Sequence, residues 1–216
     1  MLHEREAIEW SNFWWENADK ECKRILLVGD SVTRGYRSSL NNFFLESGGE
    51  YVIDLCAFSA SVTDDLTEKM LDAFFTVSEY TYDYIGIQLG GQHGFKTRCC
   101  TNLGYREQYK NAYMKYIRKL RNICNNVFLI SYTPTVLRED LDVYNAERNK
   151  ELQTRNEIVK EVADEMGCPY INLWDYILER NCKHTDYIHF DKEANQYIAD
   201  YIGKVITEKL EVGKGI

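Results

Sequence analysis

The sequence is poor in proline, in positive charge and in long apolar runs. Its 216 residues include only 2 prolines, where an average usage of about 5% would give about 11. The formal net charge is −8, which argues against a nucleic-acid binder because such proteins present a basic surface. No apolar run approaches the roughly 20 residues that a membrane-spanning helix requires. We therefore expect neither a nucleic-acid partner nor a membrane partner.

Export signals and paired cysteines are also missing. The N-terminal segment MLHEREAIEW carries charged residues from near its start and lacks the apolar core of a signal peptide, so we expect a cytoplasmic protein. The 7 cysteines form an odd number without a CxxC pair, which indicates reduced thiols instead of a disulfide framework. With 44% hydrophobic and 28% charged residues, the composition is that of a globular protein and too apolar for disorder.

Short apolar runs alternate with longer segments of helical period. Strands are predicted over residues 25–28, 51–56, 84–89, 127–132 and 170–173. Helices are predicted over residues 36–45, 63–75, 105–124, 145–166 and 192–210. Strands of such continuous apolar character favour a parallel sheet that is covered on both faces. The order predicts an α/β protein, a three-layer α/β/α sandwich around a five-stranded parallel sheet. Without repeats or linkers, residues 1–216 are expected to form a single domain.

The N-terminal segment concentrates part of the aromatic content. Trp10, Phe13 and Trp14 follow the i, i+3, i+4 spacing of one helix face. This spacing predicts an aromatic-rich helical extension over residues 1–22. The aromatic face has three interpretations: docking on the flank of the sheet, a homodimer contact, or a platform on which a sugar stacks.

Two local patterns lie where predicted strands end, the edge at which α/β folds bind ligands. Gly29-Asp30-Ser31 follows the first strand, and a serine in a strand-to-helix turn can expose its hydroxyl beside unpaired helix N–H groups. Asp186 and His189 are three residues apart after the fifth strand, which lets the carboxylate orient the imidazole. Each pattern alone is also typical of a helix cap or a capping turn. Together they predict a nucleophilic serine with a histidine base.

At these residues the sequence resembles the SGNH/GDSL hydrolase superfamily. The segment ILLVGDSVTRGY resembles the first block of that superfamily, and TDYIHF resembles its last block. The segment around Ser59 and Ala60 resembles the second block, and residues 88–94 resemble the third. The resemblance covers roughly residues 24–208 and implies a flavodoxin-like SGNH hydrolase fold and an esterase or acylhydrolase activity.

The resemblance also implies roles for individual residues. Ser31 would be the nucleophile, His189 its base, and Asp186 the group that orients His189. The oxyanion hole would consist of the backbone N–H groups of Ser31 and Ala60 and the side-chain amide of Gln92. Ala60 stands where the superfamily has glycine, and Gln92 stands where it has asparagine, so a methyl group and a longer side chain enter this hole. Neither a metal nor a cofactor is expected.

The substrate is expected to be a short acyl ester. The loop over residues 95–103 contains two positive charges and few aliphatic residues, unlike an apolar lipase lid. We therefore expect acetyl-type esters of a polar alcohol such as a carbohydrate. Asp30, Arg34 and His93 are candidate substrate-binding residues, although Arg34 also fits a solvated helix residue and His93 a solvent-facing loop residue. An O-acyltransferase using the same site and a non-catalytic binding module on the same fold remain alternatives.

Overall fold

A six-stranded sheet forms the centre of a computed structural model that describes residues 10–48, 51–136 and 142–210. The strands are β1 (Ser11–Trp14), β2 (Lys23–Gly29), β3 (Tyr51–Phe58), β4 (Tyr84–Ile87), β5 (Val127–Ile130) and β6 (Tyr170–Ile171). Their spatial order is β1-β3-β2-β4-β5-β6. Strands β2 to β6 pair in parallel, while β1 pairs antiparallel with β3 at the edge. All eight positions of β3 are buried, as expected of a parallel strand with helices on both sides.

The helices cover both faces of this sheet. They are α1 (Ser31–Glu46), α2 (Asp65–Val77), α3 (Leu103–Arg121), α4 (Asp142–Met166), α5 (Leu173–Arg180) and α6 (Lys192–Val205), followed by a π-helical turn (Ile206–Leu210). Alternate residues of β2 enter different core clusters: Leu26 packs with α2, α3 and α4, whereas Ile25 packs with α1, α5 and α6. The predicted three-layer α/β/α sandwich is therefore confirmed. Each helix in the described ranges is too short or too polar to span a lipid bilayer.

The five predicted strands and five predicted helices are all present, with shifted ends. Two elements were not predicted. Helix α5 is only eight residues long and begins where the fifth strand was expected to end. Strand β1 makes the sheet six-stranded and mixed, so the prediction of a five-stranded, purely parallel sheet is corrected at its edge.

The predicted N-terminal helix is wrong for the residues that the structure describes, because 10–22 contain strand β1 and turns. Residues 1–9 lie outside the described part. The physical reason is pairing with β3: the sheet edge offers backbone groups that hydrogen-bond Ser11–Trp14. Side chains alternate between the two faces of a strand, so aromatic residues whose spacing fits one helix face lie on both faces of this strand.

The aromatic side chains of this segment are divided between core and surface. Trp15 stacks on Phe74 with ring centroids 5.1 Å apart, and Phe13 meets the same ring edge-on at 5.2 Å. Trp14 is 49% exposed. Part of the segment therefore docks on the flank of the sheet, one of the three interpretations, while a homodimer contact at this surface stays a prediction.

Candidate active site

Ser31 lies at the junction between β2 and α1. Strand β2 ends at Gly29, and Asp30 is the N-cap residue of α1, its carboxylate accepting the backbone N–H of Val32 at 3.0 Å. Ser31 is thus the first residue of the helix, where backbone N–H groups have no partner within the helix. The junction places its hydroxyl at the carboxyl edge of the sheet, as the sequence predicts.

Asp186 and His189 occupy a tight turn before α6. Backbone N–H groups of Ile188 and His189 donate to Oδ1 of Asp186 at 2.7 and 2.8 Å. The Asn195 side chain then donates to the carbonyls of Phe190 at 3.0 Å and of the α6 cap residue Asp191 at 2.9 Å. The turn is therefore fixed at both ends, by Asp186 inside it and by Asn195 from α6.

A close approach between α1 and α6 brings the two segments together. A Cβ atom at Gly35 would lie 3.0 Å from Oδ1 of Asn195, so a larger residue would require the Asn195 side chain to shift. Gly35 is one turn beyond Ser31, and Asn195 holds the turn that carries His189. Residues 158 positions apart in the sequence thus meet at one edge of the sheet.

The three side chains form a continuous hydrogen-bonded chain. Nε2 of His189 lies 2.7 Å from Oγ of Ser31, and Nδ1 of His189 lies 2.8 Å from Oδ2 of Asp186. An ionised carboxylate only accepts hydrogen bonds, so Nδ1 carries the proton and Nε2 presents its lone pair to the serine hydroxyl. The imidazole and its carboxylate partner are both partly open to solvent, since the His189 side chain is 42% and the Asp186 side chain 47% exposed.

The pKa of Asp186 supports that protonation state. Partial burial raises the pKa, but the backbone N–H of His189, the imidazole and the backbone N–H of Ile188 outweigh it and lower the pKa to about 2. The carboxylate is consequently ionised at neutral pH. Its hydrogen bonds stabilise the folded turn above the unfolded pKa of about 3.9, and this contribution is lost as the pH falls toward about 2.

Ala60 and Gln92 lie on two loops that touch at Gly90. A Cβ at Gly90 would be 3.0 Å from the carbonyl oxygen of Ala60 and 2.7 Å from the backbone nitrogen of Val62, and φ at Gly90 is +71°. Ala60 is fully buried, and Gln92 is 7% exposed. The backbone N–H of Gln92 donates to Oδ2 of Asp30 at 3.4 Å. This contact ties the Gln92 loop to the turn that carries Ser31.

Gln88 stabilises the site from the protein interior, a role that sequence reasoning missed. Its buried side-chain oxygen accepts the hydroxyl of Thr33 at 2.9 Å, and its nitrogen donates to the carbonyl of Ser131 at 2.7 Å. Three strand-end segments are thereby joined: the start of α1 and the residues after β4 and β5. The signal in the sequence was a glutamine directly after an apolar strand, a position where a buried polar side chain needs partners.

Helix α4 supplies two buried arginines that sequence reasoning also missed. Arg148 donates to the backbone carbonyl of Gln92 at 2.7 Å and to its side-chain oxygen at 3.1 and 3.3 Å. Arg155 donates to the carbonyls of Gly91 at 3.1 Å and Gly94 at 2.7 Å. Arg155 is in turn paired with Glu151 at 2.7 Å. The spacing 148, 151, 155 on one helix face was a usable signal, since charged residues at i, i+3 and i+7 share a face.

The predicted substrate-binding residues occupy different environments. Asp30 is 2% exposed, and its two oxygens accept the backbone N–H groups of Val32 and Gln92. This geometry favours a capping and positioning role over contact with substrate. Arg34 is exposed on α1 with its guanidinium 4.9 Å from the ring centroid of Trp10. His93 is half-buried in the Gln92 loop. Substrate contact by Arg34 and His93 stays a prediction.

The fold is an α/β/α sandwich, and a serine, a histidine and an aspartate are in hydrogen-bond contact at the carboxyl edge of its sheet. This is the architecture of a serine hydrolase. Residues 27–197 match the GDSL-like Lipase/Acylhydrolase family. The chain therefore belongs to this family, which places the protein among the carboxylic ester hydrolases. No protein of curated function matches the sequence.

Solved structures with the same fold include several esterases. An acetyl xylan esterase, AlAXEase, shares 18% identity at a TM-score of 0.64, with 85% of this chain and 99% of that chain covered. A lipase/acylhydrolase from Enterococcus faecalis shares 15% identity at a TM-score of 0.67, with 85% and 95% covered. An acetylxylan esterase from Geobacillus stearothermophilus shares 13% identity at a TM-score of 0.62, with 85% and 94% covered. At these identities the likeness concerns the fold.

Proposed function

We propose that the protein hydrolyses short acyl esters of a polar alcohol, with an acetylated carbohydrate as the substrate class, through an acyl-enzyme on Ser31. The observation that carries this proposal is the hydrogen-bonded chain from Ser31 through His189 to Asp186, at 2.7 and 2.8 Å. A serine hydroxyl is a poor nucleophile without a base, and this contact supplies one.

In the proposed reaction, Oγ of Ser31 forms a bond to the ester carbonyl carbon while Nε2 of His189 takes the hydroxyl proton. The bond between that carbon and the alcohol oxygen then breaks, and the imidazolium gives its proton to the departing alcohol. Water repeats the sequence on the acyl-enzyme: His189 takes a proton from water, the acid is released, and Ser31 regains its proton. Asp186 holds the ring orientation and stabilises the imidazolium throughout.

The negative oxygen of the tetrahedral intermediate needs hydrogen-bond donors. We assign this role to the backbone N–H groups of Ser31 and Ala60 and to one side-chain N–H of Gln92. The Gln92 amide nitrogen carries two hydrogens, and its contact with the carbonyl of Thr133 at 3.3 Å uses one of them. The second remains for the substrate oxygen.

Two features support a short acyl group. The loop after Gly94 packs on α4: the Phe95 ring lies beneath the guanidinium of Arg148 at 4.0 Å, and the backbone N–H groups of Cys99 and Cys100 donate to Glu151. Large exposed apolar residues in the described part lie on separate elements: Trp14, Leu45, Val77, Leu103, Ile123, Leu178 and Tyr187. Scattered residues of this kind are ordinary surface features, whereas long acyl chains call for a contiguous apolar patch.

Trp10 supports a sugar as the alcohol. Its backbone N–H donates to Oγ of Ser59 at 3.2 Å, and its carbonyl accepts the backbone N–H of Ser59 at 3.2 Å. Ser59 immediately precedes Ala60, and Arg34, which packs on the Trp10 ring, is one helical turn from Ser31. The indole and the guanidinium thus form one cluster, linked to the nucleophile turn through α1 and to the residue before Ala60 through Ser59. Such a pair is suited to a sugar ring and its hydroxyl groups.

The acyl-length preference tests the proposed substrate class. Among aryl esters of increasing chain length, kcat/KM is expected to peak at acetyl or propionyl and to fall for longer chains, because the large apolar side chains exposed in the described part lie on separate elements. Initial rates with a matched series of 4-nitrophenyl esters measure this profile. A maximum at eight or more carbons would contradict the proposal. Transfer of the acyl group to an added sugar alcohol in preference to water would identify an acyltransferase instead.

Replacing Trp10 with alanine tests the alcohol side of the site. We expect KM for an acetylated xylo-oligosaccharide to rise about 5- to 10-fold, the size of one lost stacking contact, while KM for 4-nitrophenyl acetate changes little. Trp14→Ala is the matched control, since Trp14 also pairs with an arginine, Arg37, at 5.2 Å, but lies at the far end of β1, opposite Leu55 and farther from Ser59. Equal effects of the two substitutions on KM for the sugar ester would contradict a subsite at Trp10.

A further inference from the structure

Arg148 is a buried arginine whose partners lie in the proposed oxyanion loop. It is 8% exposed and belongs to α4, 56 positions away from Gln92. Three of its hydrogen bonds reach one residue: the Gln92 carbonyl at 2.7 Å and the Gln92 side-chain oxygen at 3.1 and 3.3 Å. The guanidinium also lies over the Phe95 ring at 4.0 Å. Such a cluster holds both the backbone and the side chain of Gln92.

The contact determines which end of the Gln92 amide points toward Arg148. The oxygen and nitrogen of an amide have nearly the same shape, so a flip by 180° costs little unless the neighbours distinguish them. A guanidinium has only donors, so it donates to the amide oxygen and repels the amide N–H groups. On the other side, the carbonyl of Thr133 accepts the amide nitrogen at 3.3 Å. Both neighbours therefore select the same orientation.

We propose that Arg148 is a positioning residue, which makes the Gln92 side chain present an N–H and not a carbonyl to the substrate oxygen. The inference rests on the proposed function, in which Gln92 donates to the tetrahedral intermediate. In the flipped orientation the amide oxygen would face the developing negative charge, and repulsion would replace a hydrogen bond.

The glutamine itself explains why such a residue is needed. Compared with asparagine, glutamine has one more methylene group and one more rotatable bond, so its amide has more positions to choose from. Arg148 restricts this freedom from one side while Arg155 binds the carbonyls of Gly91 and Gly94, the residues that flank the loop tip. Arg155 binds the loop backbone. Of the two arginines, Arg148 is the one whose described contacts include the Gln92 side chain.

A double-mutant cycle tests this inference with 4-nitrophenyl acetate as the probe. Gln92→Ala is expected to lower kcat about 10²–10³-fold, the usual cost of one oxyanion donor. Arg148→Met is expected to lower kcat at least 10-fold with KM changed less than 3-fold, since the transition state is affected and the ground state is not. In the Gln92→Ala background, Arg148→Met is expected to cause less than a 2-fold further loss, because the residue acts through Gln92.

The conservative and control variants separate positioning from general support. Arg148→Lys keeps the charge with fewer donors, so its kcat should lie between wild type and Arg148→Met, and its effect should also vanish in the Gln92→Ala background. The cycle can be completed with lysine should the methionine variant not fold. Arg106→Met removes an ion pair with Glu161 at 2.7 Å on the outer side of α4 and should leave kcat unchanged.

Two results overturn different statements. Equal losses from Arg148→Met in the wild-type and Gln92→Ala backgrounds would show that Arg148 does not act through the amide, and the inference would fail while the esterase assignment stands. Turnover by the wild type that does not depend on Ser31 would instead refute the proposed function, and with it the role given to Gln92.

Discussion

Replacing Ser31 with alanine is expected to lower kcat for a short aryl ester by about 10⁶-fold, the loss typical of removing a triad nucleophile. The hydroxyl lies 2.7 Å from Nε2 of His189, and alanine leaves that base without a group to deprotonate. The remaining rate over water would come from oxyanion donors and substrate binding. Turnover of 4-nitrophenyl acetate at neutral pH, with a circular dichroism spectrum to verify folding, measures the effect.

Two further measurements accompany Ser31→Ala. His189→Ala should lower kcat about as much as Ser31→Ala, and the double variant should lower kcat no further, because the two groups act as one unit. A fluorophosphonate probe should label the wild type at Ser31 and fail to label Ser31→Ala. Ser38→Ala is the matched control, since Ser38 is an exposed serine on the same helix.

Opposite results would exclude the proposal in different ways. Unchanged turnover in Ser31→Ala would remove Ser31 as the nucleophile. A folded wild type that neither turns over esters nor reacts with the probe would favour a non-catalytic binding module on this fold.

The parts of the fold that the sequence predicted are those with a strong local pattern. Strand β2 is apolar from Ile25 to Val28, and β3 is apolar except at Asp54. Such runs indicate buried parallel strands without knowledge of their partners. Strand β1 lacks such a pattern: its four residues take their conformation from pairing with β3, about 44 positions away, and the spacing of Trp10, Phe13 and Trp14 fits a helix equally well. Pairing at a sheet edge is a long-range property, so it overrides local periodicity.

The candidate site likewise combines local motifs, which the sequence predicted, with long-range contacts, which it did not. The Ser31 turn and the Asp186–His189 turn are local motifs, and each carries its own hydrogen bonds within three residues. Gln92 and Arg148 meet only because α4 packs on the loop that follows β4. In the sequence, α4 is a polar helix, and the shared face of residues 148, 151 and 155 indicates a stripe of charged side chains. The burial of that stripe depends on the partners that the fold supplies.

Asp186→Asn is expected to lower kcat by about 10⁴-fold, through the tautomer of His189. Oδ1 of Asp186 accepts two backbone N–H groups, at 2.7 and 2.8 Å, while Oδ2 faces Nδ1 of His189 at 2.8 Å. An amide has a single oxygen, and the two backbone donors hold it at the Oδ1 position. The amide nitrogen must then face Nδ1 and donate to it. This places the imidazole proton on Nε2, the atom that faces the hydroxyl of Ser31. A protonated Nε2 cannot accept the hydroxyl proton.

Asp186→Ala separates this effect from simple loss of the carboxylate. Alanine imposes no tautomer, and water can reach the ring because the His189 side chain is 42% exposed. We therefore expect Asp186→Ala to retain more activity at pH 7 than Asp186→Asn, although asparagine is the closer match in shape. Measuring kcat for both variants with 4-nitrophenyl acetate decides the matter. If asparagine were tolerated as well as alanine or better, the backbone contacts of Oδ1 would not control the orientation of this side chain, and the tautomer argument for His189 would fall.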